Sequence, residues 1–92
     1  IKVDKGAVSA LKSSKTSLLP AGVLSCFGRF ERGDIVYIKD EHENNIAAGI
    51  SNYGSSDLLQ IQSLKSDRIE QVLGHYYGDE VIHRDNMVML ND

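Results

Sequence analysis

The sequence predicts a mainly β fold with short helices, of the α+β class, formed by one domain over residues 1–92. Three observations predict it. After residue 22 short runs rich in β-branched and aromatic residues recur, as in Ile35-Val36-Tyr37-Ile38. Gly28, Gly33-Asp34 and Asn44-Asn45 break those runs with turn chemistry. Helical periodicity is confined to brief stretches, one near the start and a pair in the second half.

Taken in order, Asp4 is an N-cap that accepts orphan amides of a first helix, and Ala7, Val8 and Leu11 share its apolar face. The helix is expected to give out in the polar stretch 12–17. Pro20 forbids a regular central strand in Leu18-Leu19-Pro20-Ala21-Gly22, and Gly22 allows a bend or a close approach by another group. Residues 23–27 read as a strand, 28–34 as a turn region and 35–38 as a second strand. A charged hairpin tip at 40–45 leads to a third strand, 46–50, whose small residues suit a crowded interior or a bulge at Gly49. Ser55 or Ser56 is expected to cap a short helix with Asp57 in its first turn. Ser66 or Asp67 caps another, with Asp67 and Glu70 at capping-box spacing and Gly74 as its terminator. Val81-Ile82 and Met87-Val88-Met89-Leu90 supply the closing strands, joined by a turn at Asp85-Asn86.

Composition narrows the function. A hydrophobic share of 41% over 92 residues is enough for a modest core without staples. Thirteen acidic residues against 10 basic ones give a net charge of -3, whereas a dedicated nucleic-acid binder draws most of its affinity from basic excess. No run approaches the ~18 apolar residues of a membrane span, and no secretory signal is legible. Cys26 is the single cysteine, set in an apolar run, and reads as a small core residue in a reducing, cytoplasmic setting. The first residue is Ile1 rather than Met, which points to a piece of a longer chain.

Several motifs invite chemistry and do not sustain it. His83-Arg84-Asp85 is the tripeptide of the protein-kinase catalytic loop, but Asn86 follows at once and no Gly-rich loop, strand lysine or D-F-G accompanies it. Arg32-Gly33-Asp34 is an integrin tripeptide that here opens a turn ahead of Ile35. His42, His75 and His83, with Glu41, Glu43, Asp79 and Asp85, lack the paired spacing of a structural zinc site. Glu41 and Glu43 flank a hairpin turn, and no nucleophile elbow or phosphate cradle is present. What remains is a surface. Lys12 and Lys15 flank the bend at Gly22, where a phosphate backbone would find charge and close approach together.

Leu18-Leu19-Pro20-Ala21-Gly22-Val23, Phe30-Glu31-Arg32-Gly33-Asp34-Ile35-Val36 and Ile46-Ala47-Ala48-Gly49 with Asn52-Tyr53 resemble a PUA domain, the fold of pseudouridine synthases and archaeosine transglycosylases. The ending, Leu73-Gly74-His75-Tyr76 and 78–86, resembles the terminus of the bacterial glutamate 5-kinases, as does the opening Val3-Asp4-Lys5-Gly6-Ala7-Val8. The resemblance implies a PUA-like pseudo-barrel of about five to six strands. It implies a parent that phosphorylates the γ-carboxylate of L-glutamate, with ATP and Mg bound in an amino-acid-kinase domain outside this chain and no catalytic, cofactor or metal residue within it. Implied partners are that kinase domain, neighbouring subunits and the next enzyme, glutamyl phosphate reductase, with no membrane. In other PUA proteins RNA lies against the first helix, the glycine loop and the last strand. Residue by residue, that implies a contact surface of Lys12, Lys15, Leu19, Pro20, Ala21, Gly22 and Arg84.

Overall fold

A computed structural model describes residues 1–90. In chain order the elements are β1 (Lys2–Val3), α1 (Lys5–Ser14), a 3-10 turn (Pro20–Gly22), β2 (Val23–Ser25), β3 (Ile35–Lys39) and β4 (Asn45–Ile50). Then come α2 (Ser55–Ile61), a 3-10 turn (Ser66–Arg68), α3 (Ile69–Leu73), a 3-10 turn (Arg84–Asn86) and β5 (Met87–Met89). The five strands form one sheet in the order β2-β1-β3-β4-β5. Neighbours run antiparallel except β1 and β3, which are parallel. The α+β expectation therefore stands, as a mixed five-stranded sheet with three short α-helices, although the strands do not outweigh the helices.

Alternation decides which face is core. Val36 and Ile38 of β3 point inward and are buried, whereas Ile35 and Tyr37 point out. In β4 the pairing shifts, with Ile38 opposite Ala47 but Lys39 opposite Asn45, so Ile46 is the extra residue of a bulge. That bulge puts Ile46 and Ala47, adjacent in sequence, both in the core. Leu11 of α1, Leu58 and Ile61 of α2, and Ile69 of α3 close over the inner face.

Gly49 answers to crowding and not to a bulge. It stays in register between Val36 and Met87, and a Cβ there would come within 2.7 Å of both the Asn86 carbonyl oxygen and Ile82 Cγ2. Other differences are local. α1 runs on to Ser14, with Lys15 in the left-handed conformation (φ 50°) as its C-cap. β2 stops at Ser25, short of Phe27, and Val81-Ile82 contributes an isolated bridge between Leu18 and Ile82 in place of a strand. Neither expected serine cap forms. The Ser55 hydroxyl instead bonds the backbone of Phe30, and the Ser66 hydroxyl donates to the Asp79 carbonyl. No side chain caps α3, so the Asp67–Glu70 box is not made, although Gly74 does terminate it at φ 80°. The turn at Asp85-Asn86 is the third 3-10 turn, closed by the Asn86 amide on the His83 carbonyl at 2.9 Å.

Candidate interaction surface

The start of α1 and the loop that follows it are held by backbone and side-chain bonds together. Asp4 Oδ1 accepts from the Ala7 amide at 2.7 Å, as the N-cap expectation requires. The Asp4 amide donates to the Gly22 carbonyl at 3.1 Å, which ties the helix start to the end of the loop. Between them Leu18 bonds the backbone of the closing segment, donating to the Ile82 carbonyl at 2.9 Å and accepting from the Val81 amide at 2.7 Å. A Cβ on Gly22 would lie 2.8 Å from the Ala7 Cβ, so the close approach that Gly22 permits is taken up by the chain's own helix.

Two adjoining depressions result. A groove of about 380 Å3 runs over Ala7, Leu11, Leu18, Leu19, Ala21 and Gly22, with Asp4 at its edge. A slot of about 140 Å3 lies between Lys15, Thr16, Arg84, Met87 and Met89. Leu11 and Thr16 line both. Arg84 is drawn beside the loop because its backbone amide donates to Ser17 Oγ at 2.9 Å.

The sequence-derived surface is therefore only partly assembled. Leu19, Ala21 and Gly22 share the groove, while Lys15 and Arg84 share the slot. Lys12 is exposed in the last turn of α1 and lines neither. Pro20 belongs to the core. Its side chain is buried and its carbonyl accepts from the Ser63 amide at 2.8 Å, so it can shape the loop but cannot touch a partner through its ring. Thr16, Ser17, Met87 and Met89 also line these depressions, and their neutral side chains gave no site signal in the sequence.

Several other polar side chains are engaged by neighbours within the domain. His75 Nε2 lies 2.8 Å from Asp57 Oδ2, which ties α2 to the segment after α3. The His75 ring packs on Tyr77, Tyr77 packs on Tyr53, and the Arg32 guanidinium stands 3.9 Å over the Tyr77 ring. His83 Nδ1 accepts from the Asp85 amide at 3.1 Å. Tyr76 bonds Asp79, and that acceptor pushes the phenol pKa up to about 12. Burial likewise raises the Cys26 thiol. Among the described residues no three His, Cys, Asp or Glu side chains converge on a metal position.

A family model for the PUA domain matches residues 1–73. The chain belongs to the PUA domain family. This PUA domain is 48% identical over 90 residues to a glutamate 5-kinase of Pelobacter propionicus, a match that takes in 98% of this chain and 24% of that protein. It is 44% identical over 87 residues to the glutamate 5-kinase of Thermus thermophilus, covering 95% of this chain and 24% of the relative. The chain thus spans about a quarter of the length of these curated relatives, 24% in each case. Among solved structures, a PUA domain from Aeropyrum pernix K1, crystallised as a tartrate complex, superposes with a TM-score of 0.63 at 28% identity, over 89% of this chain and 39% of that one. A PUA domain protein from Thermoplasma acidophilum superposes at 0.60 with 18% identity, over 89% of this chain and 46% of that one, and supports the fold alone. Among the described residues no helix is long and apolar enough to cross a membrane.

Proposed function

We propose that this PUA domain is the non-catalytic accessory domain of a cytoplasmic glutamate 5-kinase and tunes the kinase to which it is attached. The observation that carries the reading is the 48% identity to such an enzyme across 98% of the chain. On this reading the parent uses ATP and Mg to phosphorylate the γ-carboxylate of L-glutamate, giving L-glutamyl 5-phosphate at the first step of proline biosynthesis. That chemistry belongs to an amino-acid-kinase domain preceding Ile1. The residues of this chain do not fit ATP or Mg: the sequence has no phosphate-cradling glycine loop, and its acidic side chains do not converge among the described residues. The partners are the kinase domain, its neighbouring subunits and glutamyl phosphate reductase, which must receive a labile acyl phosphate. ATP-dependent formation of glutamyl phosphate by the full-length protein, trapped as the hydroxamate, tests the parentage. Turnover of glutamate supports it, and a folded full-length protein inert toward glutamate contradicts it.

A second reading is RNA contact across the groove and slot. It is favoured by the pairing of Lys15 and Arg84 in one slot next to the apolar groove, and opposed by the net charge of -3. A phosphate-gripping surface loses affinity steeply with salt. Titration of a labelled structured RNA at low salt therefore tests it. Binding that weakens both with salt and in a Lys12→Glu/Lys15→Glu variant supports contact, and the lack of salt-dependent binding, or binding unchanged in that variant, contradicts it.

A further inference from the structure

The strand β3 has 5 residues, but β1, its neighbour on one side, has 2. Because the sheet order sets β1 between β2 and β3, residues 35–37 of β3 have no strand beside them on that side among the described residues. Just ahead of β1 the chain already lies in parallel register. The Ile1 nitrogen donates to the Tyr37 carbonyl at 2.9 Å, and the Lys39 amide donates to the Ile1 carbonyl at 2.7 Å. These are the two slanted bonds that set a residue opposite Ile38 in a parallel ladder.

A strand turns the N–H and C=O of one residue to one side and those of the next to the other. The Tyr37 N–H and the Ile35 carbonyl therefore face the same side as the Tyr37 carbonyl, and among the described residues no strand pairs with them there. In that place is a cleft of about 540 Å3 lined by the apolar Ile1, Phe27, Phe30 and Ile35 and by the charged Arg29, Lys39 and Glu43. Its apolar side chains lie open, with Phe27 65% and Ile35 77% exposed. An unpaired strand edge is a template for further pairing.

We propose that this cleft seats the polypeptide immediately preceding Ile1 in the longer protein, which extends β1 in parallel along β3 by about three residues at roughly 3.3 Å each. The second residue before Ile1 donates to the Ile35 carbonyl and accepts from the Tyr37 amide. Recognition is through the backbone, so it places no demand on that residue's side chain. The occupant is this segment because Ile1 already stands in register and the ladder, continued backwards, enters the cleft. The consequence is mechanical: the domain joins its neighbour through a hydrogen-bonded strand of fixed direction in place of a loose tether.

The inference rests on the reading that the rest of a longer chain precedes Ile1. Hydrogen exchange of the β3 amides, compared between the full-length protein and the 92-residue chain, tests it. The expected result is at least tenfold slower exchange of the Tyr37 amide in the full-length protein, independent of concentration, and reversed by proline at the second residue before Ile1. Equal exchange in both, or slowing insensitive to that proline, overturns it. Slowing in the 92-residue chain that grows with concentration assigns the edge to a second copy and also overturns it. Loss of the kinase reading is recorded separately, by the absence of glutamate turnover.

Discussion

Gly22 and Ala7 are in contact through the faces of the glycine loop and α1, so close that a Cβ on Gly22 would stand 2.8 Å from the Ala7 Cβ. The glycine is required by packing, since its φ is not positive. Gly22→Ala is expected to destabilise the domain by about 1–3 kcal/mol, the usual cost of overpacking. In a double-mutant cycle with Ala7→Gly the two changes should couple, because the second removes the atom that the first strikes. Urea midpoints of the four proteins measure it. Additive effects would show that the glycine serves something other than the helix contact.

Asp4 supplies the one side-chain cap of α1, through its bond to the Ala7 amide. Asp4→Ala should lower stability by about 1 kcal/mol, and Asp4→Asn, which keeps an acceptor at the cap, by much less. Thermal unfolding of both variants checks the order.

The Tyr53 hydroxyl donates to the Gly78 carbonyl at 2.7 Å and accepts from the Tyr77 amide at 2.8 Å. Removing it leaves both backbone groups without their partner, so Tyr53→Phe should cost about 1–3 kcal/mol although the ring is retained. Loss of protection at the Tyr77 amide in hydrogen exchange should accompany the change.

Lys15 caps α1 in the left-handed region, where a side chain is disfavoured and glycine is at ease. Lys15→Gly should therefore raise stability by about 0.5–1 kcal/mol. If the slot it shares with Arg84 grips RNA, the same change weakens binding, so stability and affinity move in opposite directions. A chemical denaturation curve and an RNA titration on one sample read both.

Asp40 and Cys26 make stability depend on pH in opposite directions. Asp40 at the hairpin tip accepts from the Asn44 amide at 3.0 Å and the His42 amide at 2.8 Å, and these bonds, the first above all, hold its carboxyl below 3.8. The folded state then binds fewer protons than the unfolded state near that value. The stabilisation is present above pH 3.8 and lost as pH falls through the depressed folded value. Burial raises the Cys26 thiol above 9.0, so the folded state keeps a proton that the unfolded state releases, and stability falls as pH rises past 9.0. Asp40→Asn should flatten the acid limb, and Cys26→Ala the part of the alkaline limb that begins at 9.0, below the ordinary tyrosine value of 10.0 from which Tyr76 contributes. Stability curves against pH for the two variants separate the limbs.

The sequence carried β3 and β4, whose residues alternate or are β-branched, and it carried Asp4 and Gly74, whose roles are local. It did not carry β1, because 2 residues show no period and their pairing is set by partners at Ser25 and Lys39. Ser55 and Ser66 look like caps in sequence, yet their hydroxyls are drawn away by Phe30 and Asp79, partners that only the tertiary fold brings near. The surface was legible in the same uneven way. Lys15, Leu19, Ala21, Gly22 and Arg84 line the two depressions, Pro20 was absorbed into the core, and the Arg32–Tyr77–His75 stack was invisible because its members lie on separate segments.

The central claim is that this domain tunes a kinase without performing its chemistry. Its most direct test is to delete residues 1–92 from the full-length protein and compare glutamate phosphorylation, and its response to proline, the end product of the pathway proposed for the parent, with the intact enzyme. The account predicts that phosphorylation persists in the folded truncation while the response to proline changes. Complete loss of phosphorylation in a folded truncation, or an unchanged response, would contradict it.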